Sequence, residues 1–302
     1  MAASGSPHRS SATLLERYGT IRRATLALAS PLSAEDAQIQ SMPDASPAKW
    51  HLAHTTWFFE TFVLARAEPP VPPHDRAFGY LFHSYYEAAG PRQPRPERGL
   101  LSRPPLEEVL RWRAIVDERM GALLSGAPPG PLLDVVELGL AHEEQHQELL
   151  LTDLKHAFSV QPLRPRYLAS PPAPSGPAPR LAWITREGGG REIGADGGGF
   201  AFDNERPRHR VLLAPHALAS RPVTCGEWAE FVAAGGYRRP EHWLSDGWAA
   251  VQRNGWLAPL YWTEEGGRWW QFTLGGMRPL DEAEPVAHVS YYEADAFARW
   301  AG

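Results

Sequence analysis

Residues 131–158, PLLDVVELGLAHEEQHQELLLTDLKHAF, constrain the fold more than any other stretch of the chain. No proline follows Pro131, and leucines and valines recur at helical spacing, which predicts one long helix. That helix carries His142 and His146, four residues apart and therefore on one face. Leu138, Gln145 and Leu149 fall near the same stripe, so the pair is expected to face an interior. Two adjacent buried imidazoles need a partner, because unpaired buried polar groups are costly; one metal ion satisfies both when they are neutral. Such a pair also occurs as an ordinary hydrogen-bonded pair, so a third ligand is needed to make a site. Glu143, Glu144, Gln147 and Glu148 read as solvated helix-face residues, with Glu144 and Glu148 a weaker alternative i,i+4 ligand pair.

Three further segments read as helices. They are SATLLERYGTIRRATLALAS, SPAKWHLAHTTWFFETFVLARA, with Ser46 as N-cap and Pro47 at the first helical position, and PPLEEVLRWRAIVDERMGALLSG, closed by Gly126 and Pro128-Pro129. Four helices with one long connection, residues 68–104, predict an antiparallel bundle whose link is too long to be a turn. Pro- and Ala-rich sequence then reads as an interdomain linker. Beyond it come Gly-rich turns, short β-like runs and nine of the 12 tryptophans, at or after Trp183. The expected class is α+β: a helical domain over residues 1–162, a linker over 163–180, and a mixed domain of low regularity over 181–302.

Composition removes several function classes. A net charge of -5 supplies no basic field for nucleic acid or an anionic membrane. The single cysteine, Cys225, excludes an internal disulfide and a Cys-based zinc site. No stretch reaches the ~18 apolar residues of a membrane span, and the N-terminus lacks a secretory pattern, so a cytoplasmic protein is expected. Nothing sets the oligomeric state.

The second helix offers the third ligand. WHLAH carries His51 and His54, three apart among tryptophans and phenylalanines. His54 shares a stripe with Trp50, Trp57 and Phe58 and is favoured as the inward residue. Three imidazoles with open positions suit catalytic Zn(II) or Fe(II), and spacing does not choose between them.

These residues bring a resemblance with them. SPAKWHLAHTTWFFE, SYYEAAGPRQPRPERGLLSRP and HEEQHQELLLTDLKHAF resemble the ergothioneine-biosynthesis sulfoxide synthases, whose N-terminal domain is a DinB-like helical bundle. GGFAFDNERPRHRVLLAPHALASRPVTCGEWAEFVAAGGY and EPVAHVSYYEADAFARWAG resemble the formylglycine-generating-enzyme, or sulfatase-modifying-factor, fold of the same family. The resemblance implies an Fe(II) site at His54, His142 and His146, with His51 a helix-face residue or a neighbour of the ligands, and Gln145 near a bound imidazole. It implies O2-dependent C–S bond formation between hercynine and cysteine or γ-glutamylcysteine. Those substrates carry carboxylates, which favour arginine forks, and Arg98 and Arg103 of the link are the candidates. The family's proton-donating tyrosine and an acidic substrate residue lie beyond FARWAG, so no catalytic residue is assigned. Tyr291 and Tyr292 belong to an earlier motif, and the second domain is expected to be incomplete in this sequence. Asp203, Asn204, Glu205 and His209 read as a turn fastening the second domain's core, and Cys225 as a structural residue at a strand-to-helix junction. The competing readings are a synthase that sulfurises histidine itself, a zinc-dependent DinB-type thiol transferase, and an inactive remnant.

Overall fold

The computed structural model describes residues 10–84, 90–126, 128–169, 176–197 and 199–302. Residues 85–89 of the arginine-bearing link and 170–175 of the expected linker lie outside them. The chain forms two compact units, one of residues 1–162 with 194–208, the other of 163–193 with 209–302. Among the described residues no helix is long and apolar enough to cross a membrane.

The first unit is built on four helices, α1 (Ser11–Ala29), α2 (Ala48–Phe62), α4 (Leu106–Ser125) and α5 (Gly130–Val160), with a short α3 (Phe78–Leu81) in the link. Local chemistry sets their ends. The Ser10 hydroxyl accepts the Thr13 N–H at 3.1 Å, while α4 and α5 each begin just after a proline. α2 starts one residue away from the expected cap: Pro47 is the N-cap and Ser46 lies outside the helix. The reason is that Ser46 is engaged elsewhere. Its hydroxyl accepts from Arg98 at 2.9 Å, and its backbone N–H donates to Asp153 at 2.8 Å.

Both α1 and α2 pack on α4 and on α5. The Ser11 hydroxyl donates to the Leu124 carbonyl and the Tyr18 hydroxyl to Asp117, so α1 runs antiparallel to α4. Ser46 meets Asp153 and His54 meets His142, so α2 and α5 are also antiparallel. α2 and α4 run parallel instead, with Lys49 beside Pro104 and Thr55 beside Arg113. The antiparallel bundle expected from the sequence therefore holds for α1 with α4 and α2 with α5 but not for α2 with α4, because the long link carries the chain back to the starting end before α4 begins.

Every residue of α2 from Ala48 to Glu60 is buried. The core around it includes Leu14, Tyr18, Trp50, Phe59, Trp112 and Leu140. α5 comes closest to α2 at Gly139, where an added Cβ would lie 2.7 Å from both the Phe58 and the Phe59 ring. A residue without a side chain is what lets the two helices approach one turn before His142.

Glu143 is not the solvated residue its polarity suggested; it is 0% exposed, as is Arg113. Its carboxylate accepts from Arg22 at 2.9 Å, from the Thr25 hydroxyl at 2.6 Å, and from Arg113. Arg22 reaches on to Asp117 at 2.6 Å, and Arg113 to Thr55 at 3.0 Å, so the network ties α1, α2, α4 and α5 together. Burial raises the Glu143 carboxyl, but the two guanidiniums outweigh it and hold the group down at about 2.

The second unit combines antiparallel pairs of short strands, β1 (Trp183–Arg186) with β4 (His216–Ala219) and β2 (Gly189–Ile193) with β3 (His209–Leu213). A meander follows, of β5 (Trp262–Glu265), β6 (Arg268–Thr273) and β7 (Gly276–Pro279). Three helices complete it, α6 (Cys225–Ala233), α7 (Ser245–Asn254) and α8 (Tyr291–Ala301), around a core of Trp228, Phe231, Tyr237, Trp243 and Trp262. α6 and α8 both open with capping boxes, Thr224 with Glu227 and Ser290 with Glu293. Cys225 opens α6 fully buried, and burial pushes its thiol up to about 11, in keeping with a structural role. Asp203, Asn204 and Glu205 form an exposed turn.

Candidate metal centre

α5 presents His142, His146, Leu149 and Asp153 to a cavity of about 260 Å³. These positions recur every three to four residues, so they form one stripe along the helix. Across from them α2 presents Trp50, His51 and His54. The link closes the remaining side with Ser84, Arg95 and Arg98, beside Ser46.

The three predicted ligands do come together. One nitrogen from each of His54, His142 and His146 lies within 4.8 Å of the others. His54, 1% exposed, is sandwiched between Trp50 (ring centroids 4.5 Å) and Trp57 (5.5 Å), which fixes the plane of its ring. Its Nδ1 lies 2.5 Å from the Phe82 carbonyl. A carbonyl only accepts, so Nδ1 carries the proton and Nε2 is left as a bare lone pair, 3.2 Å from Nε2 of His142. The His142 ring stands nearly perpendicular to those of His54 and His146.

Burial pushes all three imidazoles down. His54 falls well below the usual range, the neighbouring His142 adding to the effect. His142 falls to about 4, with the Glu143 carboxylate offsetting part of the shift. His146 is also held low, by burial and then by His54 and His51. Three neutral rings with converging nitrogens are the donor set that a borderline divalent metal takes, and the residues therefore fit such an ion.

The same shifts predict a pH dependence for the metal-free protein. An unfolded histidine titrates near ~6.5. Below that pH the unfolded chain binds more protons than the folded one, so folding stability drops as pH falls from about 6.5. For His142 the loss levels off near 4. Urea midpoints of metal-free protein are expected to be lower at about pH 5 than at about pH 7; equal midpoints would contradict the assignment of three neutral rings.

His51 is more than a helix-face residue. It is buried, its Nδ1 lies 2.8 Å from Nδ1 of His146, and its Nε2 lies 3.1 Å from Asp153. Of the arginines, Arg98 is buried in the cavity wall, its guanidinium 3.4 Å over Trp50 and bonded to the hydroxyls of Ser46 and Ser84. Its segment is clamped from outside. The Gln40 amide donates to the Arg95 carbonyl at 2.8 Å and accepts from the Gly99 N–H at 2.6 Å. Lys49 donates to the Leu101 and Pro104 carbonyls, and burial, with Arg103 nearby, pushes it down to about 8.

Arg103 is exposed and does not line the cavity. Gln145 is likewise exposed and does not line the cavity. Tyr291 and Tyr292 sit at the start of α8 in the second unit. The residues the sequence reading passed over are Asp153, Arg95, Ser46 and Ser84. Asp153 was legible in principle, since it lies seven residues, two helical turns, after His146.

Comparison with known proteins agrees with the two-part organisation. Residues 17–150 match the DinB superfamily and residues 170–302 the sulfatase-modifying factor enzyme 1-like domain. The chain is 31% identical over 300 residues to the hercynine oxygenase of Mycolicibacterium smegmatis, covering 96% of this chain and 65% of that protein. It is 32% identical over 299 residues to the hercynine oxygenase of Mycolicibacterium thermoresistibile, covering 98% of this chain and 64% of that one. A formylglycine-generating enzyme of Streptomyces coelicolor is 30% identical over 152 residues, 46% of this chain and 48% of that protein. The chain thus spans just under two thirds of the length of the hercynine oxygenases it matches.

Proposed function

Since the chain belongs to the ergothioneine sulfoxide synthase family, that of the hercynine oxygenases, we propose that it takes part in the O2-dependent joining of hercynine to a thiol in ergothioneine biosynthesis. In that reaction an imidazole C–H and a thiol S–H are lost, a C–S bond and an S=O bond form, and the second oxygen atom leaves as water. The thiol is that of cysteine or γ-glutamylcysteine. The observation that carries the proposal is the convergence of His54, His142 and His146 on a cavity walled by a buried arginine.

In this reading those three histidines hold Fe(II). When bound, the ion supplies open coordination positions for the substrates and lowers the pKa of a coordinated thiol. The remaining steps belong to the chain's own residues. The Phe82 carbonyl and the two flanking tryptophans hold His54 in one orientation, so its lone pair is presented without reorganisation. Burial keeps the rings unprotonated at neutral pH, so no proton need leave before they bind. Trp50 and Leu149 give the cavity part of its apolar lining.

Arg98 is assigned to a substrate carboxylate. It is already fixed by two hydroxyls and the Trp50 face, and a fixed planar fork loses little entropy on binding. Arg103 and Gln145, exposed and off the cavity wall, are left out of this assignment. Charge-assisted hydrogen bonds contribute roughly 1.5–3 kcal/mol, so Arg98→Ala is expected to raise the KM of the carboxylate-bearing substrate about 10- to 100-fold. A smaller rise in Arg98→Ala than in Arg103→Ala would reverse the assignment. The proposal as a whole is tested by incubating the iron-loaded protein with hercynine and each thiol under air, and following sulfoxide by mass spectrometry. Histidine offered in place of hercynine separates the two acceptors, and absence of any sulfoxide product from the loaded protein would count against the function.

A further inference from the structure

His51 is a buried titratable residue of the cavity wall that the proposed ligand set leaves without a task, and its contacts define one. Its ring joins two residues of α5 that are seven positions apart: Nδ1 is 2.8 Å from Nδ1 of His146, and Nε2 is 3.1 Å from the Asp153 carboxylate. Asp153 is anchored from a second side by the Ser46 backbone N–H at 2.8 Å, at the entry to α2. The His51 ring is further held by an edge-to-face contact with Trp50, at 5.8 Å between centroids.

Donor and acceptor rules leave one arrangement for two neutral rings. A carboxylate only accepts, so the proton of His51 sits on Nε2, facing Asp153. His51 Nδ1 is then a bare acceptor. The hydrogen bond to His146 therefore needs its proton on Nδ1 of His146, and that leaves His146 Nε2 as a lone pair. His54 reaches the same state by a shorter route, through its Nδ1–H to the Phe82 carbonyl. Two of the three rings are thus each locked as the Nδ1–H tautomer by a neighbour outside the ligand set. Among the described residues, His142 Nδ1 is buried without a hydrogen-bond partner.

We propose that Asp153 and His51 form a relay that sets the tautomer and the orientation of His146, so that its Nε2 is presented to the metal. His51 and Asp153 are positioning residues in this account and do not touch the ion. The inference rests on the metal reading of His54, His142 and His146. Partners of this kind orient metal-binding histidines, and their loss weakens binding by roughly 10- to 100-fold.

The test uses the full chain and Co(II) as a spectroscopic probe, with dissociation constants read from visible absorption. Metal-free thermal unfolding is run in parallel to confirm that each variant is folded. His51→Leu removes the acceptor, and Asp153→Ala removes the anchor of the relay. His51→Asn is the discriminating variant, since the asparagine oxygen stands close to where Nδ1 was and can still accept from His146. The expected result is one Co(II) bound by the wild type, about 10- to 100-fold weaker binding in His51→Leu and Asp153→Ala, and recovery of a good part of that loss in His51→Asn. Binding within about twofold of wild type in His51→Leu and Asp153→Ala would overturn the relay. So would equal losses in His51→Leu and His51→Asn, which would make His51 a ligand or a packing residue. A wild type that binds no Co(II) would overturn the metal reading itself, and the relay with it.

Discussion

Replacing Glu143 with glutamine is expected to destabilise the helical unit by about 3–5 kcal/mol, a large share of the ~5–15 kcal/mol that holds a typical domain together. The cause is electrostatic. Glu143 is the fully buried anion between Arg22 and Arg113, and both guanidiniums are buried with it. Glutamine keeps the shape and part of the hydrogen bonding but leaves two cations in a low-dielectric interior with a single counter-charge in contact, the partly exposed Asp117 bonded to Arg22. Removing all three charges together, as Arg22→Met, Arg113→Met and Glu143→Leu, is expected to restore much of the loss, because no desolvated charge then remains. Guanidinium denaturation followed by tryptophan fluorescence measures both. A Glu143→Gln midpoint equal to wild type would show that the network carries no net stability. The same carboxylate makes the fold acid-sensitive: its folded pKa of about 2 lies below the ~4.3 of an unfolded glutamate. Its contribution is complete above the latter value and is lost as pH falls through the former.

The second large effect concerns the histidines. A ligand that binds only the folded state stabilises it by RT ln(1 + [L]/Kd), about 2.7 kcal/mol at one hundred times Kd. Iron or cobalt added to wild type is expected to raise the unfolding temperature accordingly. His54→Ala, His142→Ala and His146→Ala each remove one of the three converging nitrogens and are expected to abolish that shift. Glu144→Ala and Glu148→Ala, which alter exposed residues of the same helix, are expected to keep it. Loss of the shift in the glutamate variants and its retention in the histidine variants would move the site to the alternative i,i+4 pair.

How much of this was legible in the sequence follows from helix geometry. The bundle was, because proline and glycine punctuate periodic apolar segments at Pro47, Pro105, Gly126 and Pro129. The convergence of three imidazoles was too, since His142 and His146 share a face and His54 lies on the aromatic stripe of α2. The flanks of that face were not. At about 100° per residue, Glu143 and Gln145 lie some 80° to either side of the line midway between His142 and His146. The pattern is nearly symmetric about that line, yet Glu143 is covered by α1 and α4 while Gln145 meets solvent. Spacing within one helix cannot say which flank a neighbour covers. Stripe logic failed for His51 for a related reason: α2 is buried on every side, so it has no solvent face to which a second histidine could be consigned. The mixed domain offered little periodicity, its strands being four to six residues long, and its organisation was carried by the resemblance and by the capping signals at Thr224 and Ser290.

Whether His54, His142 and His146 together hold one iron ion is read from the metal content of the protein. Wild-type protein and His142→Ala are reconstituted anaerobically with iron, desalted, and analysed by inductively coupled plasma mass spectrometry. One equivalent of iron is expected in the wild type and none in the variant. Iron retained by His142→Ala, or zinc held in the wild type to the exclusion of iron, would contradict that assignment.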